Sequence, residues 1–343
     1  MHSCQFVAKM TRINEKKQIG YSCSYIPVEL LAATGYKPYR LLHGDTRLAD
    51  AGEKMLRVDA CPLVRSNLSY IIENKDKFAA VVGATGCDMA RRMFDCLRQP
   101  MADSSLPVFV MNNPRTDKPV IFYDEINRLI EELERLSNKK ITEQLIINEI
   151  ERWEADRNRY RVYNQKRAAK PSLVSTADLA KVCINYHKGD IEKEININEK
   201  PSNKPRIFLL GSAIPYEAYL IIEMLEENMR IVGDFNCGIS RFLNINIKEK
   251  SINCIKQAYY NQIPCIYKRP NNQFYEMVGA QIKQLDCKGI IAWTLDYCDN
   301  YEFELKRIEQ YFQLPVLRIR SDLSFQNISQ LKTRIAAFAE TIA

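Results

Sequence analysis

Short apolar runs closed by turn residues recur through the first third of the chain, and they predict strands at 20–23, 39–43, 78–85 and 107–111. Helical patterns alternate with them. Pro27 opens one through VELLAAT and Gly35 closes it, Pro62 opens another that runs to Ile72, and 88–97 repeats its apolar positions at Met89, Met93 and Leu97. Strand and helix in alternation imply a parallel sheet.

From 120 to about 187 the strand signal gives way to long helices, with Thr142 and Ser175 as N-caps of the second and third. The polar stretch 188–205 reads as a linker. Alternation then returns, with strands at 207–211, 230–234, 289–295 and 315–320, and helical patterns in YEAYLIIEMLEEN and NYEFELKRIEQYF. The pattern therefore predicts an α/β chain of two Rossmann-like (flavodoxin-like) domains with parallel sheets, at 15–119 and 205–343, joined by a helical insertion and linker at 120–204.

A chain of 343 residues suits about two domains at ~150 residues each. No apolar run approaches the ~18 residues of a membrane span, and the N-terminal stretch lacks the ~7-residue apolar core of a secretory signal. The expected location is the cytoplasm. A formal charge of +7 says little about partners. The three histidines, His2, His43 and His187, form no metal-binding spacing, which sets zinc hydrolases aside. There is no GxxxxGK[ST] loop and no GxGxxG after a strand, so ATP and dinucleotides are expected to bind another protein.

Eleven cysteines are many for a reducing compartment. In open parallel sheets, ligands gather beyond the carboxyl ends of the strands. Cys23, Cys61 and Cys87 fall at such ends in the first half, and Cys237, Cys265 and Cys298 in the second. A thiol cluster with few histidines suits soft metals, iron–sulfur clusters above all, and no CxxC pair argues for a zinc ribbon. Cys4 lies near the terminus, while Cys96, Cys183, Cys254 and Cys287 fall in or at the ends of helical patterns and read as packing residues.

Other candidates have two readings each. Arg65, Arg91 and Arg92 could offset a cluster's negative charge or be solvated surface charges. Ser22 and Ser24, flanking Cys23, could hydrogen-bond a cofactor sulfide or substrate, or be satisfied loop hydroxyls. Gly211 and Ser212 form either an anion-binding turn or a plain tight turn, the second being preferred. The segment 152–170 interleaves seven basic residues with Trp153, Tyr160 and Tyr163. That composition could bind nucleic acid, although a helix with a solvated charged face and buried aromatics is preferred, with the activator or an anionic cofactor as the next candidate partner.

The blocks YSCSYIPVELLAATGYKPYRLLHG, CPLVRSN and VVGATGCDMARRMFD, followed by NCGISRF, IPCIYKRPNN and KGIIAWTLDYCDNYEFE, resemble the 2-hydroxyacyl-CoA dehydratase and benzoyl-CoA reductase family, in order and over nearly the whole chain. The resemblance implies an iron–sulfur cluster between two Rossmann-like domains, fed single electrons by a separate ATP-hydrolysing iron–sulfur activator. It implies a [4Fe-4S] ligand triad at Cys61, Cys87 and Cys298. The further match at Cys23, Cys237 and Cys265 resembles the branch in which six cysteines hold a double-cubane [8Fe-9S] cluster in a small-molecule reductase. Pairing with a second copy or a related subunit is implied, acting on a small molecule or an acyl-CoA. The alternatives are a single-cubane dehydratase subunit that dehydrates a CoA thioester, and a metal-free binding or scaffold protein. Two departures bear on the activator contact and the substrate: GCDMARRM where a lysine-rich run is common, and Arg65 where lysine is frequent.

Overall fold

The computed structural model describes residues 17–99, 105–190, 197 and 199–343. Cys4, His2 and most of 191–198 lie outside these. Two four-stranded sheets are present, both wholly parallel. In the first, β1 (Gln18–Tyr21), β2 (Lys37–Arg40), β3 (Phe78–Ala84) and β4 (Val108–Met111) take the order β2-β1-β3-β4. In the second, β5 (Arg206–Gly211), β6 (Arg230–Asp234), β7 (Gly289–Leu295) and β8 (Val316–Ser321) repeat it as β6-β5-β7-β8. The chain reverses its direction of winding between β1 and β3, and again between β5 and β7. Those two gaps are the crevices where an open sheet of this kind takes its ligand.

Around the first sheet lie α1 (Val28–Ala33), α2 (Thr46–Gly52), α3 (Pro62–Glu73) and α4 (Asp88–Leu97). Helix α2, capped by the Asp45 carboxylate accepting from Leu48 N at 2.7 Å, is missing from the sequence reading. The helical segment is α5 (Pro119–Ser137), α6 (Glu143–Ala168) and α7 (Thr176–His187), with Thr142 and Ser175 capping as expected. The second half adds α8 (Leu220–Asn228), α9 (Ile252–Tyr260), α10 (Asn272–Gln284), α11 (Asp299–Glu302), α12 (Leu305–Phe312) and α13 (Ile328–Thr341).

Four expected elements have other bounds. Strands expected at 20–23 and 39–43 end earlier, at Tyr21 and Arg40, because Gln18 and Lys37 pair in the ladder while Leu41 and Leu42 bury themselves beyond it. The pattern NYEFELKRIEQYF is two helices rather than one, broken at 303–304. YEAYLIIEMLEEN opens with a 3-10 turn before α8 begins.

Helices α5 to α7 are no peripheral bundle. Trp153 and Tyr160 are fully buried, in one apolar cluster that includes Ile19 and Val82 of the first sheet together with Phe242 and Tyr259 of the second half. A second cluster runs from Leu68 and Phe94 through to Ile221 and Trp293. Buried apolar surface is the main favourable term in folding, so continuous cores of this kind hold the two halves together. No helix among the described residues is long and apolar enough to cross a membrane.

Candidate metal centre

Five of the six cysteines chosen from the sequence lie just beyond a strand or at the start of a helix, whereas Cys265, expected at a strand end, lies in the loop between α9 and α10. Cys61 is the N-cap of α3, Cys87 of α4 and Cys298 of α11. The Cys87 thiol accepts from Ala90 N at 3.4 Å. Tyr297 takes a left-handed φ of 60° and turns the chain into the Cys298 cap. A helix N-terminus supplies free N–H groups and a partial positive charge, which favour a thiolate. These three thiols line one cavity of about 310 Å³ with Asp88, Arg91, Arg115, Tyr267 and Asp299.

Cys23 and Cys265 lie within electrostatic reach of Cys87, and Cys237 within reach of both of them. Gly86 is close beside Cys23: a Cβ placed there would lie 3.8 Å from its sulfur. Among the described residues no three His, Cys, Asp or Glu side chains could hold one metal ion. Cys61, Cys87 and Cys298 border a cavity rather than converge on a point. In an iron–sulfur cluster each thiolate binds a different iron, so the donors need not converge on one ion.

Burial pushes five of the six thiols up: Cys87 to about 12, Cys265 to about 11, and Cys23, Cys61 and Cys298 above the ordinary cysteine value. The cations around them carry more information. Arg40 and Arg241 are almost fully buried, at 3% and 1% exposure, and among the described residues neither has a carboxylate within ion-pairing distance. Nε of each lacks a hydrogen-bond partner. Arg241 donates to Ile263 O, lies 5.7 Å from the Tyr25 ring centroid, and interacts electrostatically with Cys237 and Cys265. Arg40 sits over the Tyr21 ring at 5.3 Å and acts on Cys23. Lys268, held by Asn113 Oδ1 at 2.8 Å and Pro114 O at 2.5 Å, is lowered to about 8 by burial, against the pull of Cys265 and Cys23. A buried guanidinium without a counter-charge is costly, so this donor set fits a bound anionic group better than six neutral thiols. A thiolate-ligated iron–sulfur cluster is such a group.

Ser24 donates to the Cys237 sulfur at 3.8 Å, whereas the Ser22 hydroxyl is buried without a partner. Ser212 accepts from Leu295 N at 3.2 Å and also hydrogen-bonds Cys298. Gly211, with φ of 136°, is the last residue of β5 and pairs with Trp293, its Cα lying close against the Trp293 carbonyl.

Of the three arginines singled out earlier, only Arg91 lines the cavity. Arg65 fits neither of its readings: it is buried and bound to Glu53 and to Ala60 O. Arg92 is exposed. Sequence reasoning missed Arg40, Arg115, Arg241 and Lys268, although Arg241 and Lys268 follow Cys237 and Cys265 by four and three positions in quoted blocks. The segment 152–170 is the expected helix with buried Trp153 and Tyr160 and a charged outer face, except that Arg157 and Arg167 are buried. Each of its seven cations meets a carboxylate, Arg157 and Arg167 inside the core with Glu29 and Asp234, and the others with Glu149, Asp156, Glu154, Glu199 and Asp286.

The sequence profile of the family described as 2-hydroxyglutaryl-CoA dehydratase, D-component, matches residues 23–342. Among curated proteins, YjiM of Escherichia coli (strain K12), whose name marks it only as an inferred dehydratase subunit, is 26% identical, covering 94% of this chain and 91% of its own. The (R)-phenyllactyl-CoA dehydratase beta subunit of Clostridium sporogenes is 22% identical over 98% of this chain and 95% of its own. The (R)-2-hydroxyglutaryl-CoA dehydratase beta subunit of Acidaminococcus fermentans is 22% identical over 95% and 93%.

Proposed function

This chain belongs to the 2-hydroxyglutaryl-CoA dehydratase D-component family, a family of enzyme components, and from that premise we propose that it is the iron–sulfur protein of an anaerobic reductase whose six thiols hold a double-cubane [8Fe-9S] cluster. Cys61, Cys87 and Cys298 would hold the part beside the cavity, and Cys23, Cys237 and Cys265 the remainder. The carrying observation is the pair of buried, carboxylate-free arginines, Arg40 and Arg241, on the Cys23, Cys237 and Cys265 side. A triad-only cluster gives those cations no reason to be there.

When bound, such a cluster supplies one-electron transfer at low potential. The protein's own residues do the rest. Ser24 and Ser212 aim hydrogen bonds at Cys237 and Cys298, and the cavity beside Cys61, Cys87 and Cys298, lined by Arg91 and Arg115, admits a small molecule. Electrons would come one at a time from a separate ATP-hydrolysing activator, in a cytoplasmic assembly with a second copy or a related subunit.

One second reading has specific support. Two curated relatives are named as beta subunits of acyl-CoA dehydratases, and the three cavity cysteines are the triad that a single [4Fe-4S] cubane would need. Anaerobic iron and sulfide analysis separates the readings. About eight irons per chain supports two cubanes, and about four supports one. Alanine at Cys23, Cys237 or Cys265 should lower the iron only in the first case. Colourless protein after anaerobic reconstitution would overturn both readings and leave a metal-free protein of the same fold.

A further inference from the structure

The two groups of thiols differ in their surroundings. Beside Cys61, Cys87 and Cys298, the cavity wall carries two arginines, Arg91 and Arg115, against two carboxylates, Asp88 and Asp299, and both arginines are exposed, where water and salt screen them. Beside Cys23, Cys237 and Cys265 stand Arg40, Arg241 and Lys268. Among the described residues the two buried arginines have no carboxylate partner, and Lys268 feels the Asp117 carboxylate, itself bonded to the Tyr260 hydroxyl. Tyr25 links this side together. Its hydroxyl accepts from Cys265 N at 3.2 Å while Arg241 and Lys268 lie over its ring at 5.7 and 4.9 Å. Buried charges act through a low dielectric, so their field outweighs that of exposed ones.

We infer that Arg40, Arg241 and Lys268 make the Cys23, Cys237 and Cys265 side of the bound centre the first to be reduced, so that this side stores an electron behind the side that faces the cavity. The inference rests on the six-thiolate reading. The step adds one electron, drawn from an external low-potential reductant, and breaks no bond. The three residues act as positioning residues for charge.

The test is a reductive titration of the full, anaerobically reconstituted chain with titanium(III) citrate, followed by electron paramagnetic resonance after iron has been counted. Arg241→Gln should keep about eight irons and lose at least about tenfold in the equilibrium constant for the first electron, about 59 mV for a one-electron couple, with the second step nearly unmoved. Arg241→Lys should restore it, and Arg91→Gln should leave the first step in place. If Arg241→Gln does not load iron, Lys268→Gln, on an open cavity wall, carries the same expectation. An unmoved first step in the loaded variants, or an equal shift in Arg91→Gln, would overturn the inference. About four irons in the unaltered chain would instead remove the six-thiolate reading, and the iron count registers that failure before any potential is measured.

Discussion

Arg157 donates to Glu29 across 2.6 Å at a place where neither side chain reaches solvent. Tyr259 donates to the other carboxylate oxygen at 2.8 Å, and Tyr186 accepts from Arg157 at 3.1 Å. Helix α1 of the first half, the helical segment and α9 of the second half therefore meet in one buried polar knot. It ties the first half of the chain to the second.

Removing one partner of a buried pair strands the other. Glu29→Ala should destabilise the protein by ~3–5 kcal/mol in a denaturant titration, whereas Glu29→Leu combined with Arg157→Leu should cost clearly less. Equal losses would show that the pair carries no special weight.

Gly211 pairs with Trp293 in the second sheet, and a Cβ there would lie 1.7 Å from the Trp293 carbonyl oxygen. Gly211→Ala should cost at least ~3 kcal/mol or abolish soluble protein, since a sheet backbone cannot yield by that distance. A melting temperature like that of the unaltered chain would contradict this contact.

His187 is buried at the end of α7 against Tyr186 and Phe242, and burial together with Arg40 lowers it from 6.5 to about 3. The unfolded chain then binds a proton that the folded one refuses. Its contribution is complete above about pH 6.5 and falls as pH drops towards 3, by up to ~1.4 kcal/mol per unit. The difference in stability between the unaltered chain and His187→Phe, measured at several pH values in that window, should carry this slope, and a flat difference would refute it.

The seven cations of 152–170 are already paired within the fold. A gel-shift assay at ~0.15 M salt should give no salt-dependent nucleic-acid complex. A retarded band that Arg152→Gln weakens would show that the ion pairs are not decisive.

Much of this was legible beforehand, for reasons tied to particular residues. Cys23, Cys87 and Cys298 could be singled out because strand ends in an alternating α/β pattern share one edge, and an edge position is a local property of the chain. Arg40 could not, because nothing in KPYR tells a solvated arginine from a buried one. Arg65 and Arg157 misled in the same way: each has the composition of a surface charge and the environment of a core residue.

Periodicity and turn residues alone determined the alternation of strands and helices, the capping at Thr142 and Ser175, and the cysteines worth following, since each depends on neighbours a few positions away. Only the tertiary structure decided which charges are buried without carboxylate partners among the described residues, which helices bridge the halves, and that Cys61, Cys87 and Cys298, far apart in sequence, line one cavity with Cys23, Cys237 and Cys265 in electrostatic reach. Those outcomes are set by contacts between distant segments, where burial and the dielectric around a charge are decided, and no local pattern encodes them.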